Sequence, residues 1–110
     1  MPYSYKVLGQ SFPASTTIAD LYTVPSATSA IVSQISVCNQ TSLPASFRVS
    51  VAIAGAADTA AQYVIYDVTV DPTDTLFFDI GMTLAATDVV RVKTNTASAL
   101  SFVLFGTQVT

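Results

Sequence analysis

Apolar residues in this chain recur at every second position, in short runs separated by turn residues roughly every ten positions. That rhythm belongs to strands, whose side chains alternate between two faces. In residues 3–11, Tyr3, Tyr5 and Val7 share one face, and Phe12-Pro13 ends the run because proline cannot donate to a ladder. A second strand is expected over 17–24, stopped by Pro25. The stretch AIVSQISVC places Ile31, Ser33, Ile35 and Val37 on one face, with Val32, Gln34, Ser36 and Cys38 on the other. Asn39 to Ser42, with Pro44 close behind, reads as a turn. Next, Phe47, Val49, Val51 and Ile53 alternate against Arg48, Ser50, Ala52 and Ala54, the most one-sided run of the chain.

A small-residue loop follows at 54–58, with room for one helical turn capped by Asp58. Residues 62–70, QYVIYDVTV, are apolar on both faces for half their length and are expected to form a central strand. Asp71-Pro72-Thr73-Asp74 is a turn. Beyond it Leu76, Phe78 and Ile80 face one way, Phe77 and Asp79 the other, and 81–88 is expected to be a loop. In 88–93, Val90 and Val92 point in, and Arg91 and Lys93 out. In 99–109, Leu100, Phe102 and Leu104 form one face and Val103 and Phe105 the other. About eight short strands without a convincing helix predict an all-β fold. The expected form is a single antiparallel β-sandwich of jelly-roll type spanning 1–110, with residues 1–12 as a docking arm or an edge strand.

Composition changes this picture in one respect. The chain is 51 % hydrophobic but only 10 % charged, against about 25 % charged in an ordinary soluble domain. Its surface must be built mainly from Ser, Thr, Ala, Asn and Gln, with little charge repulsion to hold copies apart. That suggests self-association or docking on a larger body; the bland reading is a polar, uncharged monomer. The net charge is −3, with seven Asp, no Glu and only Lys6, Arg48, Arg91 and Lys93 as cations. Four scattered cations make no phosphate-binding footprint and no polybasic membrane patch, so neither a nucleic-acid nor a membrane partner is expected. The N-terminus lacks the charged-then-apolar layout of a signal peptide, which leads us to expect synthesis and assembly in a cytoplasm.

Candidate chemistry is sparse. With no His, the chain has no Ser–His or Cys–His pair, and its four glycines form no phosphate loop. No enzymatic activity and no cofactor are expected. Cys38, the single cysteine, reads as a small buried hydrophobe. Asp67, Asp71, Asp74 and Asp79 form an acidic constellation to weigh as a calcium site against plain turn-shaping and edge-protecting roles. Asn39-Gln40-Thr41 satisfies the glycosylation triplet. Tyr3, Tyr5, Tyr63 and Tyr66 suggest a sugar-stacking platform or ordinary packing. The outward pair Val103 and Phe105, with Phe77, requires cover either from the same chain or from another.

Several stretches taken in order, YKVLGQ (5–10), LYTVPSATSAIVSQISVCNQ (21–40), FRVSVAIAGAA (47–57), YVIYDVTV (63–70), GMTLAATDVVRV (81–92) and LSFVLFGTQVT (100–110), resemble a family of small structural proteins of tailed bacteriophages, marine and cyanobacterial phages included. The similarity is end to end. At Gln40-Thr41 the chain departs from the basic-then-small pair expected after VCN, which costs one surface charge. The resemblance implies a non-enzymatic virion protein with no catalytic residues to carry over. The foremost expectation is a capsid decoration (cement) protein on the shell exterior, a trimer bridging capsomers of the major capsid protein. A tail, neck or fibre component is the first alternative, and a carbohydrate-binding adhesion module the second. Interface residues expected on this reading are Tyr3, Tyr5, Val7 and Phe12 of the N-terminal segment, with Phe77, Val103 and Phe105.

Overall fold

The computed structural model describes residues 2–110. Nine strands occur in chain order: β1 (Tyr3–Ser11), β2 (Ala19–Thr23), β3 (Ser29–Asn39), β4 (Ala45–Ala52), β5 (Tyr63–Val70), β6 (Thr75–Phe78), β7 (Met82–Leu84), β8 (Val89–Thr94) and β9 (Leu100–Val109). They form two antiparallel sheets. One has the order β1-β9-β3-β6, with β7 also on β3, and the other β2-β8-β4-β5. β6 and β7 run one after the other along β3: Cys38 to Ile35 pair with Thr75 to Phe78, then Val32 to Ala30 with Met82 to Leu84. Taken as one interrupted strand they leave eight, in the orders 1-8-3-6 and 2-7-4-5, which is the jelly roll. The chain crosses between sheets at nearly every connection, and only β4–β5 is a hairpin within one sheet.

The core lies between the sheets. Phe47 of β4 meets Phe102 of β9 edge-on at 5.7 Å and Phe78 of β6 at 5.9 Å, joining the two layers through aromatic contacts. Val32, Ile35, Val37, Val49, Val90, Val92, Leu100 and Leu104 complete it, all fully buried. Each contributes on the order of 1.5–3 kcal/mol by leaving water. The alternations expected for β6, β8 and β9 hold: Leu76, Phe78 and Ile80 pack on the core, as do Val90, Val92, Leu100, Phe102 and Leu104.

Five expectations are corrected. Ile31 does not share a face with Ile35 and Val37; it is exposed while they are buried. The β3–β9 register shifts between Val32 and Gln34, so Ser33 is an extra residue, and a one-residue bulge moves everything before it to the other face. Residues 63–70 form not a central strand but the edge β5, paired only with β4. Its register slips twice against β4, and Asp67 takes a left-handed φ of 53°, which spoils the edge as a template for further pairing. Ile53 leaves the sheet and is exposed, because β4 ends at Ala52. No Asp58-capped helical turn forms; two single 3₁₀ turns, Ile53–Gly55 and Ala60–Gln62, occupy the loop, and neither has a side-chain cap. The loop expected at 81–88 contains β7. Residues 3–11 are an integral edge strand, paired along their length with β9.

Candidate functional site

Register determines which side chains share the outer face of the five-stranded sheet, since ladder partners lie on the same side. Val7 pairs with Phe105, which pairs with Gln34; Gln10 pairs with Val103, then Ser36, then Phe77. Tyr5 pairs with Thr107, then Ile31, and Tyr3 pairs with Val109. Six of the seven interface candidates, Tyr3, Tyr5, Val7, Phe77, Val103 and Phe105, therefore fall on this single face. Phe12 does not; it lies beyond the end of β1 and is exposed. Sequence reasoning missed Ile31, because the Ser33 bulge that turns it outward leaves no mark in the pattern. Tyr3, Tyr5 and Phe77 are 61 %, 80 % and 62 % exposed. Val103 and Phe105 are half-buried between their strand neighbours. Among the described residues the charged side chain on this face is Asp79, at the rim, where it accepts a hydrogen bond from Gln34 Nε2 at 3.0 Å.

β9 runs regularly between two bulged neighbours. Leu8 is the extra residue of β1, as Ser33 is of β3, at the same level of the sheet. Gly106 sits at this level, and a Cβ there would run into the Ile31 carbonyl oxygen and lie 2.8 Å from Leu8 Cδ1. The missing side chain is what lets both bulges close against β9. Gly9 plays a similar part at the rim, where a Cβ would strike the Leu21 carbonyl of β2.

The outer face of the four-stranded sheet differs. Arg48 and Lys93 are directly opposed across β4 and β8. Arg48 Nε donates to Asp67 Oδ1 at 2.6 Å and Nη2 to Oδ2 at 3.1 Å, while its guanidinium carbon lies 3.9 Å above the Tyr66 ring. The hydrogen bonds from Arg48 hold the Asp67 carboxyl below the usual carboxylate range. Tyr63 packs edge-on against Tyr66 at 5.4 Å. Desolvation, and then its hydrogen bond to Asp58 Oδ2, push the Tyr63 phenol above its ordinary value. Arg91 pairs with Asp20 at 3.1 Å and donates to the carbonyls of Ala56 and Gly55, drawing the 53–62 loop over this sheet. Asp88 fastens the same loop: Oδ1 accepts from Ala54 N–H and Oδ2 from Ala85 N–H. Beneath it Ser50, Ala52 and Val89 are buried, although Ser50 and Ala52 belong to the outward set.

The four acidic candidates do not converge. Asp67 is paired to Arg48, Asp71 and Asp74 shape the β5–β6 turn, and Asp79 meets Gln34. Among the described residues no group of three or more His, Cys, Asp or Glu is placed to hold a metal. Asn39 is buried, with Nδ2 donating to the Leu43 and Val70 carbonyls and Oδ1 accepting from Thr41, so its amide organises the 39–44 turn rather than facing solvent. Cys38 is half-buried on the outer face between Thr75 and Ser101, not in the core. Tyr3 and Tyr5 lie on one sheet and Tyr63 and Tyr66 on the other, so the four tyrosines form no common platform. A shallow depression beside Arg48, lined by Asp67, Lys93, Thr94 and Asn95, is a seam whose polar groups largely satisfy one another, Ser46 N–H donating to Asn95 Oδ1.

No protein-family model and no curated protein sequence matches the chain. Solved structures do match it. A chain of the acidic stable capsid structure of Helicobacter pylori bacteriophage KHP30 superposes with a TM-score of 0.54 and 18 % identity, over 99 % of this chain and 98 % of that one. Chains of infectious bursal disease virus, Gt and Gx strains, superpose with TM-scores of 0.52 and 0.50 at 8 % identity, over 96 % and 97 % of this chain. This chain spans 31 % of each bursal disease virus chain. At these identities the likeness establishes a shared fold.

Proposed function

We propose that this chain is a non-enzymatic structural protein of a virus particle, and specifically a decoration protein bound to the exterior of a phage capsid. The observation that carries this reading is the end-to-end match to a chain of the KHP30 capsid structure, with 99 % and 98 % of the two chains aligned. A jelly roll of this length that makes up a whole chain suits an accessory subunit. The bursal disease virus chains, by contrast, are some three times longer than the part that matches. The sequence resemblance to small tailed-phage virion proteins points the same way, independently of the fold.

As a decoration protein the chain would bridge neighbouring capsomers of the major capsid protein and add contact area that resists outward pressure. A standard interface buries about 1,600 Å² in total, and repetition over a shell makes individually modest contacts sufficient. The test is the copy number of the chain in purified virions, by quantitative mass spectrometry against the major capsid protein. A ratio near one to one is expected. A ratio of one to several tens would move the chain to the tail or neck and retire the bridging mechanism.

A further inference from the structure

We infer that the outer face of the five-stranded sheet is the surface through which copies of this chain associate with one another. The inference rests on the virion reading only for where assembly takes place; the contact itself is argued from the face.

Tyr3, Tyr5, Val7, Ile31, Phe77 and Phe105 share one face by register, across β1, β9, β3 and β6, interleaved with the uncharged Gln10, Gln34, Ser36 and Thr107. An exposed apolar patch of this extent on one side of a small domain marks an interaction surface. At 61 %, 80 % and 62 % exposure, Tyr3, Tyr5 and Phe77 alone leave about 400 Å² in water. That is half of the ~800 Å² per partner that a stable interface needs, before the aliphatic residues are added.

Charge selects the occupant. Every copy carries −3, so two copies can approach closely only through a surface that adds no further repulsion. Among the described residues this face has one charged side chain, Asp79, at its rim and already hydrogen-bonded. Lys6 belongs by register to the opposite face, paired with Gly106. Pressed against a copy of itself, the face buries no unpaired charge, which is the costly element of most interfaces. Arg48, Arg91 and Lys93 all lie on the other sheet, where carboxylates and the 53–62 loop engage two of them. Tyrosine and phenylalanine, which supply large area with few rotors, are the residues that anchor such contacts.

The experiment is the mass of the full chain in solution, by light scattering after size exclusion over a dilution series, for the native protein and for Tyr5→Asp/Phe77→Asp. Both replaced side chains are exposed, so the variant should keep the native circular dichroism and melting profile. Leu43→Asp, an exposed loop position away from the sheet, is the control. The native chain and the control are expected to run as a closed oligomer, and the double variant as a monomer, its dissociation constant raised about a hundredfold or more. A native chain that stays monomeric throughout the series overturns the inference, as does a folded double variant that still assembles. If the native chain is monomeric while the double variant loses binding to particles, the face belongs to the shell and not to a second copy. Because the mass measurement uses no particles, its failure is separate from failure of the virion reading.

Discussion

The two outer faces of the sandwich are built from the same alternating strand pattern, yet they end in opposite conditions. On the four-stranded sheet the chain covers itself: the 53–62 loop is drawn over β4 and β8 by Arg91 and Asp88, and Ser50, Ala52 and Val89 vanish beneath it. What remains open there includes two ion pairs, Arg48 with Asp67 and Arg91 with Asp20, beside Lys93 and the Tyr66 ring under Arg48. On the five-stranded sheet aromatic and branched side chains are left in water, with Asp79 at the rim. The contrast shows that polar outward positions do not ensure a bare sheet face, nor apolar ones a covered face. A loop elsewhere in the chain decides, and here it covers the more polar side.

The sharpest way to break the comparison is at Gly106, where the frame of the bare face closes. Gly106→Ala drives a Cβ into the Ile31 carbonyl and the Leu8 side chain. It should cost about 3 kcal/mol, the upper range for overpacking, because a backbone oxygen cannot step aside. Chemical denaturation would read this directly, and a loss under about 0.5 kcal/mol would mean the double bulge is not as tight as described. The covered face is undone by Asp88→Ala, which leaves the Ala54 and Ala85 amides without their acceptor. A loss of about 2 kcal/mol is expected, the scale of hydrogen bonds to a charged group. Hydrogen exchange should quicken at Ala54 and Ala85, while amides of β9 facing β3 keep their relative protection; a uniform change would argue against a local fastening.

These residues also mark how far the sequence could be read. The inward sets of β6, β8 and β9 follow from period-two alternation, because burial enforces it residue by residue, and the two-layer jelly-roll form from the number of short strands and the turns between them. The acidic spacing and the Asn39 triplet were visible as patterns, but their meaning depends on partners supplied by other strands. Bulges were not legible. Leu8 and Ser33 are ordinary strand residues, and the phase change at Ser33 turns Ile31 to the side opposite the expected one. Strand position was equally hidden: Tyr63 to Val70 looks central because it is apolar on both sides, and only long-range pairing makes it an edge. The role of Asp88 was beyond reach for the same reason, since Ala54 is 34 positions away.

Ser50 sharpens the comparison from beneath the cover. Its Oγ is buried with no hydrogen-bond partner, between its ladder neighbours Arg91 and Tyr63. Ser50→Ala should therefore stabilise the fold by about 1 kcal/mol, the desolvation recovered when an unpaired polar group is removed. Destabilisation on thermal melting would mean that the hydroxyl has a partner and that the loop lies differently.

The smallest effect belongs to the open part of the charged face. Asp67 is held below the ordinary carboxylate range by its hydrogen bonds from Arg48, so its folded-state pKa is depressed relative to the unfolded chain. A depressed acid contributes stability that is present above the unfolded pKa, near 3.8, and lost as pH falls through the folded value. Arg48→Gln removes the partner, and the Asp67 carboxylate is half exposed, so solvent screening keeps the difference slight at neutral pH. The variant should lose less stability than the native chain as pH falls below about 4, with the two curves converging once Asp67 is protonated in both. Urea midpoints measured across that range test the point. Parallel curves would show that the pair, however well formed, adds nothing to folding. The charged face would then differ from the bare one only in what it repels.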